Sequence, residues 1–167
     1  VNLDQQKIYG YEGFIRGPSN SILHDPEKLF DAADKFGRLV ELDFLCRCVL
    51  IKQFSLLNLP GKLFININPE SLLGSGYTDG KTLSYIRQAK MEAKDVVIKI
   101  TETHPIENFS LIKNALIHYR EAGFTIAIDD LGAGYSNLKL WSEMRPDFVK
   151  IDRHFITSIN EDEVKRQ

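Results

Sequence analysis

Short apolar runs that offer hydrophobic residues to both faces alternate with amphipathic stretches along this chain, and that alternation constrains its fold most. The runs are KIYGYEGFIRG (Lys7 to Gly17), KLFININP (Lys62 to Pro69), DVVIKIT (Asp95 to Thr101), FTIAI (Phe124 to Ile128) and FVKI (Phe148 to Ile151). Helical signals lie between them. DPEKLFDAADKFG offers Asp25 as N-cap, Pro26 at the first helical position and Gly37 just past the end. A long helix is predicted from Glu41 to about Leu57, a second over TLSYIRQAKMEA, a third over NFSLIKNALIHYREAG closed by Gly123, and a shorter one around Asn137 to Met144. Strands that are apolar on both faces and separated by helices predict a parallel sheet with covered faces. Right-handed crossovers wind such a sheet into a doubly wound layer or a barrel.

The strand ends decide between these two. GSG at Gly74 to Gly76 comes too late after its strand, and lacks the third glycine, to be a dinucleotide-binding turn. Polar residues end the strands instead: Glu12 and Arg16 on the first, Asn66 and Asn68 on the second, Glu102 on the third, Asp129 and Asp130 on the fourth, Lys150 and Asp152 on the fifth. Contributions converging from many C-terminal strand ends are what the active face of a β/α barrel requires. Asp129 and Asp130 run into Gly132 and Gly134, and Lys150 interrupts the apolar run Phe148 to Ile151. A carboxylate pair with a Lys on the next strand points to a metal and phosphate site.

Composition narrows the partners. With 167 residues, 43% hydrophobic and 26% charged, the chain has material for one globular domain. A net charge of -2 without a run of Lys or Arg argues against DNA, RNA or an anionic membrane as partner, so a phosphorylated ligand would be small and locally bound. No apolar stretch is long enough to span a bilayer, and VNLDQQ lacks the features of a signal peptide, which predicts a cytoplasmic location, either free or as the cytosolic part of a membrane-anchored sensor. Cys46 and Cys48, two apart on a helix, point to different sides and are expected to be reduced and packed as small hydrophobes. His104 and His154 are expected at the surface or rim, and Trp141, Tyr119 and Phe109 in the core.

YEGFIR, FININP, ITE, IDDLGAGYS and PDFVKIDR resemble, in order and at compatible spacing, the EAL-type cyclic-di-GMP phosphodiesterase domain of bacterial second-messenger signalling. YEGFIR stands where that family carries its Glu-Ala-Leu signature. The resemblance implies a modified TIM-like β/α barrel in which two Mg2+ or Mn2+ ions activate a water that opens one phosphodiester of cyclic di-GMP to give pGpG. Hard oxygen ligands suit such ions. By position, the resemblance makes Glu12, Asn66 and Asp129 metal ligands, with Asp130 at the second ion. Lys150 would orient the water or the phosphate, Arg16 would bind a phosphate, and Glu102 would hold the loop from Leu131 to Ser136.

Two departures from the family pattern stand out. Where similar domains read Glu-Ile-Thr-Glu, with the first glutamate on the metal, this chain reads Lys99-Ile100-Thr101-Glu102. A pair of unit charges about 4 Å apart at an effective dielectric of about 20 interacts by roughly 4 kcal/mol. Exchanging a carboxylate for an ammonium is therefore expected to weaken or abolish Mg2+ or Mn2+ binding, with Lys99 acting as counter-ion to Glu12 and Asp129. Its alternative is to snorkel to the barrel rim. The second departure is length. A β/α barrel usually takes about 250 residues, and neither the Ala-Glu-Gly-Val-Glu motif nor the ligand-binding glutamine of similar domains is present. The chain thus reads as a partial EAL domain over residues 1–167, with VNLD as the end of the first strand and the last strands missing. The favoured function is a cyclic di-GMP receptor or regulatory module with a degenerate site, and no hydrolysis by this chain alone. The alternatives are an active phosphodiesterase in the full-length protein and a nucleotide-independent interaction module. GGDEF or sensor domains in the parent protein and a homodimer stay open as partners.

Overall fold

The chain is described by a computed structural model over residues 1–72, 80–100, 109–132 and 137–166. Gly74 to Gly76, Thr101, Glu102, His104, Gly134 and Ser136 lie outside the described residues. Within them, β1 (Gly10–Gly13), β2 (Lys62–Ile67), β3 (Val96–Ile100), β4 (Thr125–Leu131) and β5 (Phe148–Ile151) form one parallel sheet in the order of the sequence. A doubly wound sheet reverses its strand order partway. This one does not, and it curls into a half-barrel.

Helices α1 (Pro26–Lys35), α2 (Leu39–Leu57), α3 (Lys81–Gln88), α4 (Phe109–Glu121) and α5 (Asn137–Met144) connect the strands, and α6 (Arg153–Ile156) and α7 (Glu163–Arg166) follow β5. α1 begins as its sequence dictates: Asp25 accepts from the amides of Glu27 and Lys28, Pro26 takes the first turn, and Gly37 leaves the helix at φ +63°. β1 is shorter than the run from Lys7 to Gly17, because past Gly13 the chain turns into its own loop, where the Gly17 amide bonds the His24 carbonyl. α3 stops before the run TLSYIRQAKMEA ends, since Lys90 takes a left-handed conformation at φ +58° and a 3₁₀ turn over Ala93–Asp95 leads into β3.

The sheet has two unlike faces. On the convex face Leu63, Ile65, Ile67, Val96, Ile98, Ile100, Ile126 and Ile128 are buried against Ile51 and Phe54 of α2, Ile86 of α3 and Ile112 and Leu116 of α4. Side chains alternate along a strand, so the concave face carries Glu12, Phe64, Asn66, Lys99, Asp129, Phe148 and Lys150. Its lower half is aromatic, with the Phe64 and Phe148 rings 6.0 Å apart and Tyr9 5.3 Å from Phe148. Its upper half, at the C-terminal strand ends, is charged.

Tyr119 is buried and Phe109 packs on the core, but Trp141 is exposed on α5 and does not belong to it. Helical spacing defines an apolar face without saying whether a partner covers it. Cys46 and Cys48 are free thiols, both buried, and burial pushes the Cys46 thiol up to about 11. Among the described residues no helix is long and apolar enough to cross a membrane.

Candidate functional site

Register brings the charged residues together. Asn66 pairs with Lys99 across β2 and β3, and Lys99 with Ala127 across β3 and β4, while Glu12, paired with Phe64, lies two residues before that rung and Asp129 two residues after it, so the Lys99 side chain bridges the two carboxylates on the concave face. β4 departs from regular pairing between Ile128 and Leu131, where Asp130 takes φ +48°. Such a bulge re-aims side chains at a strand end, and Asp tolerates the left-handed region better than most residues. Asp129 accepts the Asp130 amide at 2.9 Å, which fixes the carboxylate's orientation.

Lys99 lies at the centre of the cup. Every residue of β3 is buried, and Lys99 itself is only 3% exposed. Its ammonium is ion-paired with Glu12 and with Asp129, at 2.6 Å to Asp129 Oδ2. It does not snorkel to the rim. Lys150 reaches the same aspartate from β5, with Nζ 2.9 Å from Asp129 Oδ1 and 3.5 Å from Asp130 Oδ1. Asn66 Nδ2 donates to Glu12 at 3.3 Å, while its Oδ1 is buried without a hydrogen-bond partner among the described residues.

The electrostatics follow from this arrangement. Burial acts to raise the Asp129 carboxyl, yet the Lys99 and Lys150 ammoniums outweigh it and hold the group below the ordinary carboxylate value. Asp130 goes the other way, raised first by burial and then by the neighbouring Asp129 charge. The hydrogen bond to Asp129 raises Lys150 against its own partial burial.

Arg16 stands outside this cluster. It is exposed past β1, with Nη1 donating to the Ile15 carbonyl at 3.0 Å, and among the described residues no hydrogen bond ties it to the cup. His154 is exposed on α6. At the signature position, a methyl group on Gly13 would come within 2.7 Å of Leu50 Cδ2, so close packing of α2 on β1 accounts for glycine there. That Lys99 and Lys150 share the two oxygens of Asp129 was not foreseen. It depends on the register of β3, β4 and β5, which the motifs do not carry.

A divalent ion between Glu12 and Asp129 does not fit these residues. Both Asp129 oxygens face ammonium groups, and a second cation would meet Lys99 at contact distance. The orphaned Asn66 Oδ1 still offers an acceptor to a ligand donor.

A parallel half-barrel with a charged cup at its C-terminal strand ends defines a partial β/α-barrel domain. The EAL domain pattern matches residues 1–167, and the chain belongs to the EAL-domain family. Among curated relatives, the blue light- and temperature-regulated antirepressor BluF of Escherichia coli is 24% identical over 93% of this chain and 38% of its own length. The cyclic di-GMP phosphodiesterase PdeA of Borreliella burgdorferi is 29% identical over 82% of this chain and 21% of its own. The chain thus spans less than two fifths of either. Among solved structures, BlrP1 of Klebsiella pneumoniae in a manganese and cyclic di-GMP complex superposes with a TM-score of 0.86 at 29% identity, over 99% of this chain and 42% of that one.

Proposed function

We propose that this chain is the ligand-recognising part of a bacterial signalling protein that binds cyclic di-GMP without cutting it. One observation carries the reading: the Lys99 ammonium lies between Glu12 and Asp129, where the family pattern calls for a carboxylate on a metal ion. The cup then keeps the charge that orders Glu12 and Asp129 but not the Lewis acid that would activate a water. Lys150, paired with Asp129 and Asp130 but with a side chain 56% exposed, is the cup's cation best placed to meet a phosphodiester oxygen. Arg16 is a second, as a fork of donors. Glu12, Asp129 and Asp130 hold Lys99 and Lys150, Asn66 faces the ligand's polar edge, and none of the four holds a metal ion; Mg2+ and Mn2+ bind weakly or not at all, and Glu102 supports the loop after β4. Family membership and the cyclic di-GMP complex of BlrP1 support the ligand. The antirepressor BluF among the relatives supports a regulatory readout.

Two measurements on the intact protein test this. Equilibrium titration with cyclic di-GMP in EDTA is expected to show binding. Incubation with cyclic di-GMP and Mn2+ is expected to leave the dinucleotide uncut. Accumulation of pGpG would make the protein an ordinary phosphodiesterase, and absence of binding in the titration would leave an interaction module.

A further inference from the structure

On the convex side of the sheet, one turn apart on α2, Asp43 and Arg47 are 2% and 3% exposed. Arg47 Nη2 lies 3.0 Å from Asp43 Oδ2, and Nη1 donates to Thr82 Oγ1 of α3 at 3.0 Å and to Tyr119 OH of α4 at 2.9 Å. The guanidinium thus joins three helices. The carboxylate reaches the other way: Asp43 Oδ1 accepts the backbone amide of Asn68 at 3.2 Å. Asn68 is the first residue past β2, two along from Asn66 in the cup. It opens the 3₁₀ turn Pro69–Leu72, its carbonyl accepting the Ser71 amide and its side-chain oxygen the Glu70 amide, each at 2.9 Å.

A requirement for stability alone does not explain this pair. Apolar residues of similar volume usually stabilise a core as well as a buried ion pair does or better. The bonding here is also incomplete. Arg47 Nε has no hydrogen-bond partner among the described residues. What the pair does accomplish is to place a carboxylate oxygen behind the exit of β2. Among the described residues that amide lies past the last rung of the ladder with β3, at Ile67 and Ile100, and the Asp43 side chain satisfies it.

We propose that Asp43 is a positioning residue for the cup: it pins the Asn68 amide and thereby the end of β2 that carries Asn66, with Arg47 supplying the counter-charge. The affinity arm of its test rests on the cyclic di-GMP reading above, and the exchange arm does not.

Two double substitutions in the intact protein separate positioning from stability. Both Asp43→Leu/Arg47→Met and Asp43→Asn/Arg47→Met remove the ion pair, but only the second keeps an acceptor at position 43. Hydrogen exchange at the Asn68 amide is expected to quicken about tenfold in the Leu variant relative to the Asn variant, and cyclic di-GMP affinity to fall by a similar factor, the equivalent of one net hydrogen bond. Exchange at Ile98 in β3 reports whether the fold itself has weakened. Equal Asn68 exchange in the two variants would overturn the proposal. If the Leu variant does not fold, the Asn variant alone decides: Asn68 protection like wild type supports the proposal, and its loss overturns it. A wild-type protein that binds no cyclic di-GMP would defeat the functional reading while leaving the exchange result to judge Asp43.

Discussion

The two buried charge clusters of this chain lie on opposite faces of one sheet, and they differ in what they leave open. Asp43 and Arg47 are enclosed by α2, α3, α4 and the β2 exit, and their bonds run to protein groups. In the cup, Lys99 is equally enclosed, but its partners grade outward: the Asp129 side chain is 7% exposed, Glu12 26%, Asp130 44% and Lys150 56%. A closed cluster can only hold elements together. A graded one presents charge to a ligand while keeping its anchor dry. Among the described residues the cup also counts three carboxylates against two ammoniums, so adding one more cation or removing one changes it more than any neutral substitution would.

The sharpest way to break this comparison is to leave each acid alone. Arg47→Met strands a carboxylate that burial already pushes above the ordinary range against the pull of Arg47 and the Asn68 amide. Losing one partner of a fully enclosed pair costs about 3–5 kcal/mol, read as the free energy of opening from β3 amide exchange. Lys99→Met should cost less, about 2 kcal/mol, because Glu12 can turn to water and Lys150 still faces Asp129. A larger loss from Lys99→Met than from Arg47→Met would mean that the cup is the more closed of the two. Lys99→Glu sharpens the contrast further. It puts a third carboxylate between those of Glu12 and Asp129, and Mn2+ is expected to raise the melting temperature of that variant but not of the wild type.

How much of this could be read in the sequence varies by residue for physical reasons. Lys99 was legible because VVIKI is apolar on both sides of the charge, and a strand covered on both faces leaves the ammonium nowhere to go but into a partner. Asp129 and Lys150 were legible by position in ordered motifs. Asp43 and Arg47 were not: spaced four apart on a helix, they look like an ordinary surface pair, and only the packing of α3 and α4 encloses them. Trp141 failed for the converse reason, since periodicity does not reveal whether a face is covered. The ends of β1 and α3 were misplaced where local bonds, at Gly17 and Lys90, turned the chain earlier than its apolar pattern did.

Lys150→Met tests the outer edge of the graded cluster. With half of its side chain in water, its ion pairs should contribute less than about 1 kcal/mol to stability. Cyclic di-GMP affinity is nevertheless expected to fall about tenfold, as for one lost hydrogen bond to a charged group. A variant destabilised by several kcal/mol with unchanged affinity would place Lys150 in the scaffold instead.

The smallest effect concerns the closed cluster's neighbour. Cys46 lies one turn from Asp43 on α2, and its thiol is pushed up to about 11 from an ordinary value of 9.0, first by burial and next by the Asp43 charge. A thiol that resists ionisation only in the folded state contributes stability that is present below pH 9 and lost as pH rises towards 11. Native protein treated with iodoacetamide at about pH 8 should therefore leave Cys46 unmodified, while urea-unfolded protein reacts fully. The native rate should climb across the interval between those two values. Rapid alkylation of Cys46 in the folded protein near neutral pH would mean that water reaches the inner face of α2, and the Asp43 and Arg47 pair beside it would then be as open as the cup.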